Sequence, residues 1–394
     1  MLRICSYTGA GQKIEVTLVQ TTDQILIGVA TTVQAKERIT QKGKVKRPSI
    51  QFCRMADAAH KSGWQFEIFS PSDVSWGKER VWAWTPVLPD RPYGSWRRTW
   101  TRLPDVIYEN VFVHLAMKGY ATGLRTQAKL RGIPVFNPPL PGKWRLHRML
   151  LHTSLKNYLP ATEVLKDIRH AMRQIQQWRM AYVKPIGGYG GSGVTRIQFV
   201  EKDRYRVSWD RTSSGNIGST RQEMSSARLE QWLRTKTKTP HLLQQGLHLL
   251  SVKGRKVDFR VVVHRDGHGD WKTVGVVPKL AAKDGVVTNL VAGGELLSVH
   301  QLIQLARAEH KEIPVEALQK CALDIASFVS ARNSLMGLVG FDLGVDEQGR
   351  VWLIEMNPKP ARSLLNDDMR KLAARYSVEF AGYTVRRRRQ RLRE

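Results

Sequence analysis

The stretch from Tyr182 to Ile197, Tyr-Val-Lys-Pro-Ile-Gly-Gly-Tyr-Gly-Gly-Ser-Gly-Val-Thr-Arg-Ile, leaves a chain few ways to fold. A β-like run reaches Lys184, five glycines fall within the seven positions Gly187 to Gly193, and a second β-like run, Val194 to Val200, follows at once. Glycine without a Cβ reaches positive φ and lets several backbone N–H groups converge on one anion, while the lysine adds a mobile point charge. The stretch reads as a phosphate-cradling hairpin. Gly188-x-Gly190-x-x-Gly193 also matches the dinucleotide fingerprint, but that motif needs a helix after the glycines and an acidic residue about twenty positions on. The β-branched, alternating run that follows is a strand instead. A protein-kinase loop has its lysine downstream on a later strand, whereas Lys184 precedes the glycines. No Walker A string occurs.

At 394 residues, 42% of them hydrophobic, the chain can bury the cores of about two or three domains. Cys5, Cys53 and Cys321 lie far apart with no metal-type spacing, which fits a reducing compartment. The start lacks an apolar core of signal-peptide length, and no run of about eighteen apolar residues occurs. The expectation is a soluble, cytoplasmic chain without a membrane span. Its 63 Lys and Arg against 34 Asp and Glu give a net charge of +29, which favours polyanionic partners. Two basic runs, Lys42 to Arg47 and Arg386 to Arg389 continuing to Arg391 and Arg393, are expected to be mobile. No nucleic-acid-binding fold is legible around them, so no specific nucleic acid is expected as a partner.

In chain order, Gln24 to Ala30 reads as a strand. Ser49 is positioned to cap a helix from Ile50 to Ser62 whose Phe52, Met55, Ala56 and Ala59 share one face. Gly63 ends it, and Trp64 to Phe69 is read as an alternating strand, giving a small α/β unit. Trp76, Trp82, Trp84, Trp96 and Trp100 then alternate with arginines and prolines. Such a stretch can stack bases, but it is read here as covering a small core or docking a neighbouring domain. A basic amphipathic helix is expected over 113–131 and a short strand from Ile133 to Asn137. Helices are expected from Trp144 to about Asn157, onward to Arg179, over 225–238, and from Val315 to Asn333. Val257 to Val263 should pair with Trp271 to Val277 across a turn. No internal repeat is found.

The last strand pair, Leu338 to Val345 and Val351 to Asn357, carries the other chemical signal. Antiparallel pairing can bring Asp342 beside Glu355 and Asn357, and alternation turns the latter two to one face. Two carboxylates and an amide oxygen are hard ligands suited to Mg²⁺ or Mn²⁺. The competing reading pairs the two acids with nearby Arg or Lys. His264, His268 and His300 are read as loop or structural histidines, and no Ser, Cys or His nucleophile triad is visible.

The order Val-Lys-Pro with its glycine loop, Gln244-Gln245-Gly246, Asp258-x-Arg260, Asn289-x-x-x-Gly293-Gly294, then Asp342 and Glu355-x-Asn357 resembles an ATP-grasp domain. Within that superfamily the sequence is most similar to the YheC/YheD endospore coat-associated proteins, over nearly the whole chain. The resemblance implies a mixed α/β and α+β chain. An N-terminal α/β pre-ATP-grasp region would span 1–140, a small lid subdomain 141–240, a large subdomain 241–380 and a basic tail 381–394. The two subdomains would clasp ATP. It further implies that Lys184 reaches the α- and β-phosphates, that Gly187, Gly188, Gly190, Gly191, Ser192 and Gly193 form the lid over them, and that Lys143 is the other nucleotide lysine. Gln244, Gln245 and Leu247 would present hydrogen bonds to adenine, and Asp258 would meet the ribose. Arg260 would meet the transferred phosphoryl group and Asn289 the phosphate and acceptor side. Lys279 stands where many relatives carry arginine. Asp342, Glu355 and Asn357 would hold Mg²⁺ or Mn²⁺.

The implied activity is an ATP-dependent carboxylate–amine ligase associated with endospore formation, in which a bound carboxylate attacks the γ-phosphorus and the acyl phosphate meets an amine. Its acid and amine substrates are unnamed by the sequence. The alternative is a structural, spore coat-associated protein with vestigial ATP binding, its charge attaching it to acidic coat components.

Overall fold

The computed structural model describes residues 3–7, 13–17, 24–32, 36–40, 43–87, 95–111, 119–187, 193–213, 216–282 and 293–394. Its contacts divide the chain into two units, Met1–Val135 with Ala381–Glu394, and Phe136–Phe380.

The first unit is built on a mixed sheet. Strand Leu26–Thr31 pairs in parallel with Gln65–Phe69 on one side and Val106–Asn110 on the other. The helix Ile50–Lys61 makes the crossover between the first two, and its Phe52, Met55, Ala56 and Ala59 are buried as the spacing requires. Ser49 occupies the N-cap, but its side chain makes no cap bond; its carbonyl accepts from Phe52 and Cys53. Gln65–Phe69 does not alternate: Phe66 through Phe69 are all buried, so both faces of this strand are covered. The tryptophan-rich stretch forms the antiparallel pair Arg80–Pro86 and Trp96–Arg102, with Val81 and Ala83 inward. The helix expected over 113–131 is seen as Tyr120–Leu130; residues 112–118 lie outside the described set.

The arginine run at the chain's end is not a mobile tail. It continues the helix Asp367–Arg391. Within the first unit, Ala381, Thr384 and Val385 are buried, and the Trp64 ring lies on Gly382 where any Cβ would collide. These residues anchor the helix; of the arginines that follow, Arg386 and Arg387 are exposed while Arg388 and Arg389 are half-buried. The earlier basic run contributes a strand, Gly43–Arg47, paired with Lys36–Thr40.

The second unit contains two antiparallel sheets. In the smaller, strands run in the order Thr162–Val164, His241–Gln245, Met180–Pro185, Thr195–Glu201, Arg204–Ser213, Asn216–Met224. Helices Ile168–Trp178 and Ser226–Lys236 cover one face, burying Ile175, Ile197, Tyr205, Val207, Leu229 and Leu233 together. Asp167 and Ser225 cap them through side-chain oxygens. In the larger sheet, Arg255–Arg265 lies between Trp271–Leu280 and Leu338–Val345, and Val351–Asn357 follows at the edge. Helix Val315–Ser330 packs on it over Phe259, Val261, Phe341 and Leu343. The helix expected from Trp144 to Asn157 is split into Lys143–Leu151 and a 3₁₀ turn, Ser154–Tyr158.

Candidate functional site

Strand register assembles the charged groups. Asp258 and Arg260 are two apart and share the face of Arg255–Arg265 opposite the apolar core. Asp258 stands directly across from Lys279, Arg260 across from Asp342, and Asp342 across from Glu355. A bulge after Asp342 sets Ile354 outside the ladder, so Glu355 and Asn357 keep their common face.

These groups close into one network. Arg260 grips Asp342 with two parallel bonds, Nε to Oδ1 and Nη2 to Oδ2, both 2.9 Å. Lys279 donates to Asp342 Oδ1 at 2.9 Å and lies 2.8 Å from Asp258 Oδ1, and Asn357 donates to Asp342 Oδ2 at 2.9 Å. Asp258, Arg260, Lys279 and Asp342 are all buried. Burial works against the charge on Asp342, but Lys279 and Arg260 outweigh it and hold the carboxyl below the usual range. Asp258 goes the other way: burial pushes it up, Lys279 opposes that, and the neighbouring Asp342 adds to it. Of the two acids sharing Lys279, Asp258 is the one that takes a proton first.

Beside this network is a small open cleft. Leu146, Leu159, Leu242, Leu353, Ile354 and Met356 give it apolar walls; Lys143, Lys184, Gln244 and Glu355 supply its polar groups. Lys184, near the end of its strand, donates to Gln244 Oε1 at 2.7 Å, and Gln244 donates onward to Thr162 at 2.8 Å. Burial, with the Lys143 charge adding to it, lowers the Lys184 ammonium to about 8. Lys143 opens its helix and lies 3.3 Å from Glu355 Oε1. The same burial, with Lys184, lowers His147, whose ring stacks on Trp144.

Of the residues singled out from sequence, Lys143, Lys184, Gln244 and Glu355 meet in the cleft; Asp258, Arg260, Asp342 and Asn357 meet in the network. Gln245 pairs with Ala181 in the strand ladder, and neither it nor Leu247 lines the cleft. Gly187 and Gly193 are the described glycines of that stretch, Gly193 with φ of +75°. Gly188, Gly190, Gly191, Ser192 and Asn289 lie outside the described residues. Thr162, His147 and the apolar walls carry no motif and were not legible; only the strand and helix register around the named lysines brings them in.

The oxygens of Asp342, Glu355 and Asn357 fit a hard divalent cation in kind and in facing. Both Asp342 oxygens are nevertheless taken by protein donors. Among the described residues no group of three or more His, Cys, Asp and Glu is arranged to hold a metal ion.

A family model described as "YheC/D like ATP-grasp" matches residues 132–383. The chain is 23% identical over 367 residues to the endospore coat-associated protein YheD of Bacillus subtilis (strain 168), covering 91% of this chain and 78% of that one. It is also 23% identical over 317 residues to YheC of the same organism, covering 78% and 84%. Among solved structures, the ATP-grasp ligase PsnB complexed with a phosphomimetic variant of a minimal precursor, Mg and ADP aligns over 91% of this chain and 99% of that chain, with 13% identity and a TM-score of 0.49.

Proposed function

The chain belongs to the YheC/D-like ATP-grasp family, and on that premise we propose that it is an ATP- and Mg²⁺-dependent ligase that activates a carboxylate for attack by an amine. The observation that carries this reading is the abutment of an apolar, lysine-edged cleft and a buried Arg260–Asp342–Lys279 network through Glu355, which belongs to the cleft and pairs with Asp342. An adenine ring suits the apolar walls, and Gln244 offers it amide hydrogen bonds. Lys143, Lys184, Arg260 and Lys279 outnumber Asp258, Asp342 and Glu355 by one charge. That surplus disfavours a bare divalent cation and suits one that arrives with a triphosphate. Asp342, Glu355 and Asn357 would hold the cation, which when bound neutralises phosphate charge and orients the γ-phosphoryl group. Lys184 and Lys143 hold the phosphate chain by charge. Arg260, released from one Asp342 oxygen, stabilises charge on the transferred group through its fork of N–H donors. The burial of these groups excludes water from the activated acyl group.

The test is ADP formation by purified protein supplied with panels of acids and amines. Formation should require both an acid and an amine and should be lost in Lys184→Ala and Glu355→Ala. ADP release indifferent to added substrates, or unchanged in both variants, would refute the ligase. The complete matching of Asp342 by protein cations favours a second reading, a spore coat-associated structural protein with vestigial nucleotide binding. The names of YheC and YheD support the endospore link of either reading. Binding of ATP without turnover on any panel would select the second.

A further inference from the structure

The first unit carries a feature that the ligase reading leaves unused. On the strand pair Arg80–Pro86 and Trp96–Arg102, register sets Arg80 opposite Arg102, Trp82 opposite Trp100, Trp84 opposite Arg98 and Pro86 opposite Trp96. Alternation puts all eight on one face, away from the buried Val81 and Ala83. Trp96 is buried against Phe66 and anchors one end. Toward the other end the ladder opens: Trp82 and Trp100 pack with centroids 5.4 Å apart, Arg98 lies over the Trp82 ring, and Trp100 remains 51% exposed.

The ladder meets the arginine helix. Asp105 receives Arg102 at 2.7 Å on one oxygen and stands 4.0 Å from Arg389 on the other. Arg386, three residues before Arg389 and on its side of the helix, is exposed and lies over Trp64. This unit holds 26 Lys and Arg against 11 Asp and Glu, a surplus of 15 of the chain's +29.

We propose that this face binds single-stranded nucleic acid without sequence preference. One feature favours that occupant over an acidic polypeptide; the arginine forks, which match phosphate and carboxylate alike, suit either. An exposed indole edged by guanidinium groups is a stacking platform for a base, which an acidic side chain cannot use. A phosphodiester chain would also meet the one cationic rung, Arg80–Arg102, and Arg98 beside the indoles. The binding is of shape and charge, so it requires none of the helix or sheet motifs that read base edges in a duplex.

The test uses the full-length protein and fluorescein-labelled 20-mers of dT and rU, followed by anisotropy. Affinity should fall roughly 20- to 50-fold between 50 and 200 mM salt, as about three to four phosphate contacts require. Trp100→Ala should weaken binding about tenfold with the salt slope unchanged, and Trp100→Phe should restore most of it. Arg80→Ala with Arg386→Ala should lower the slope itself. The proposal fails if neither oligonucleotide binds at 50 mM salt, or if Trp100→Ala binds as wild type. It fails equally if 20-residue polyglutamate displaces the oligonucleotide at equal charge, since the face would then serve an acidic protein. Circular dichroism of the two Trp100 variants separates lost stacking from lost fold.

Discussion

At the scale of single residues, the two charged groups that matter most are held in states water would not favour. Lys184 has its ammonium lowered from 10.5 to about 8, first by burial and then by Lys143. Between those values the unfolded chain binds the proton and the folded one does not, so stability should rise with pH through that window. Nucleotide phosphates favour the charged form, so affinity for an ATP analogue should be greatest below pH 8 and fall above it. Titrations at pH 7 and pH 9 check this, and Lys184→Met should erase the difference. Arg260 and Asp342 are the second case. Breaking a buried bidentate pair strands one charge, so Arg260→Ala should cost about 3 kcal/mol in urea unfolding, and Arg260→Met with Asp342→Leu much less than twice that. Equal additive losses would show that the pair is not a unit. The sequence named both partners, read Asp342 as a metal ligand and carried its pairing with a nearby Arg or Lys as the competing reading. It could not show that Arg260 and Lys279 hold it, because cross-strand distances depend on a register that no single strand encodes.

Among the elements, the strands that build the site were the most legible, since Val257 to Val263, Leu338 to Val345 and Val351 to Asn357 combine β-branched runs with turn residues between them. What escaped was local irregularity. The bulge at Ile354 and the end of the helix at Leu151 follow from packing rather than from propensity. Asn137 is another such point. It sits at φ of +61°, and its side-chain oxygen accepts from Gly337 N at 2.9 Å and Leu338 N at 2.8 Å, tying the entry of the unit to the start of a site strand. Asn137→Ala should cost about 2–4 kcal/mol, from two stranded buried donors and a strained backbone. Asn137→Asp keeps the acceptor and should cost less; the two compared by chemical denaturation decide whether the side-chain oxygen matters. Gly340 is constrained from both sides, since a Cβ there would meet Pro360 at 2.7 Å and the Arg260 side chain at 3.2 Å. Gly340→Ala should therefore impair Arg260 and lower turnover more than nucleotide affinity.

Across the whole molecule, the fold was readable because widely separated signals, a lysine before a glycine-rich stretch near the middle and an Asp, Glu-x-Asn pair near the end, pointed to one family, and the match over residues 132–383 bears that family out. The substrates were not readable, because nothing in the motif set describes the space beyond the phosphates. No described helix is long and apolar enough to cross a membrane. The tryptophan ladder and arginine helix were visible only as composition; their common face required the strand register and the contact at Asp105. The central claim is that the cleft and the acidic–basic network form one nucleotide site. Its most direct test is calorimetric titration with a non-hydrolysable ATP analogue and Mg²⁺. The account predicts saturable one-site binding that requires both components and weakens at least about tenfold in Lys184→Met and in Glu355→Gln. No binding by the wild-type chain, or binding that both variants retain in full, would contradict it.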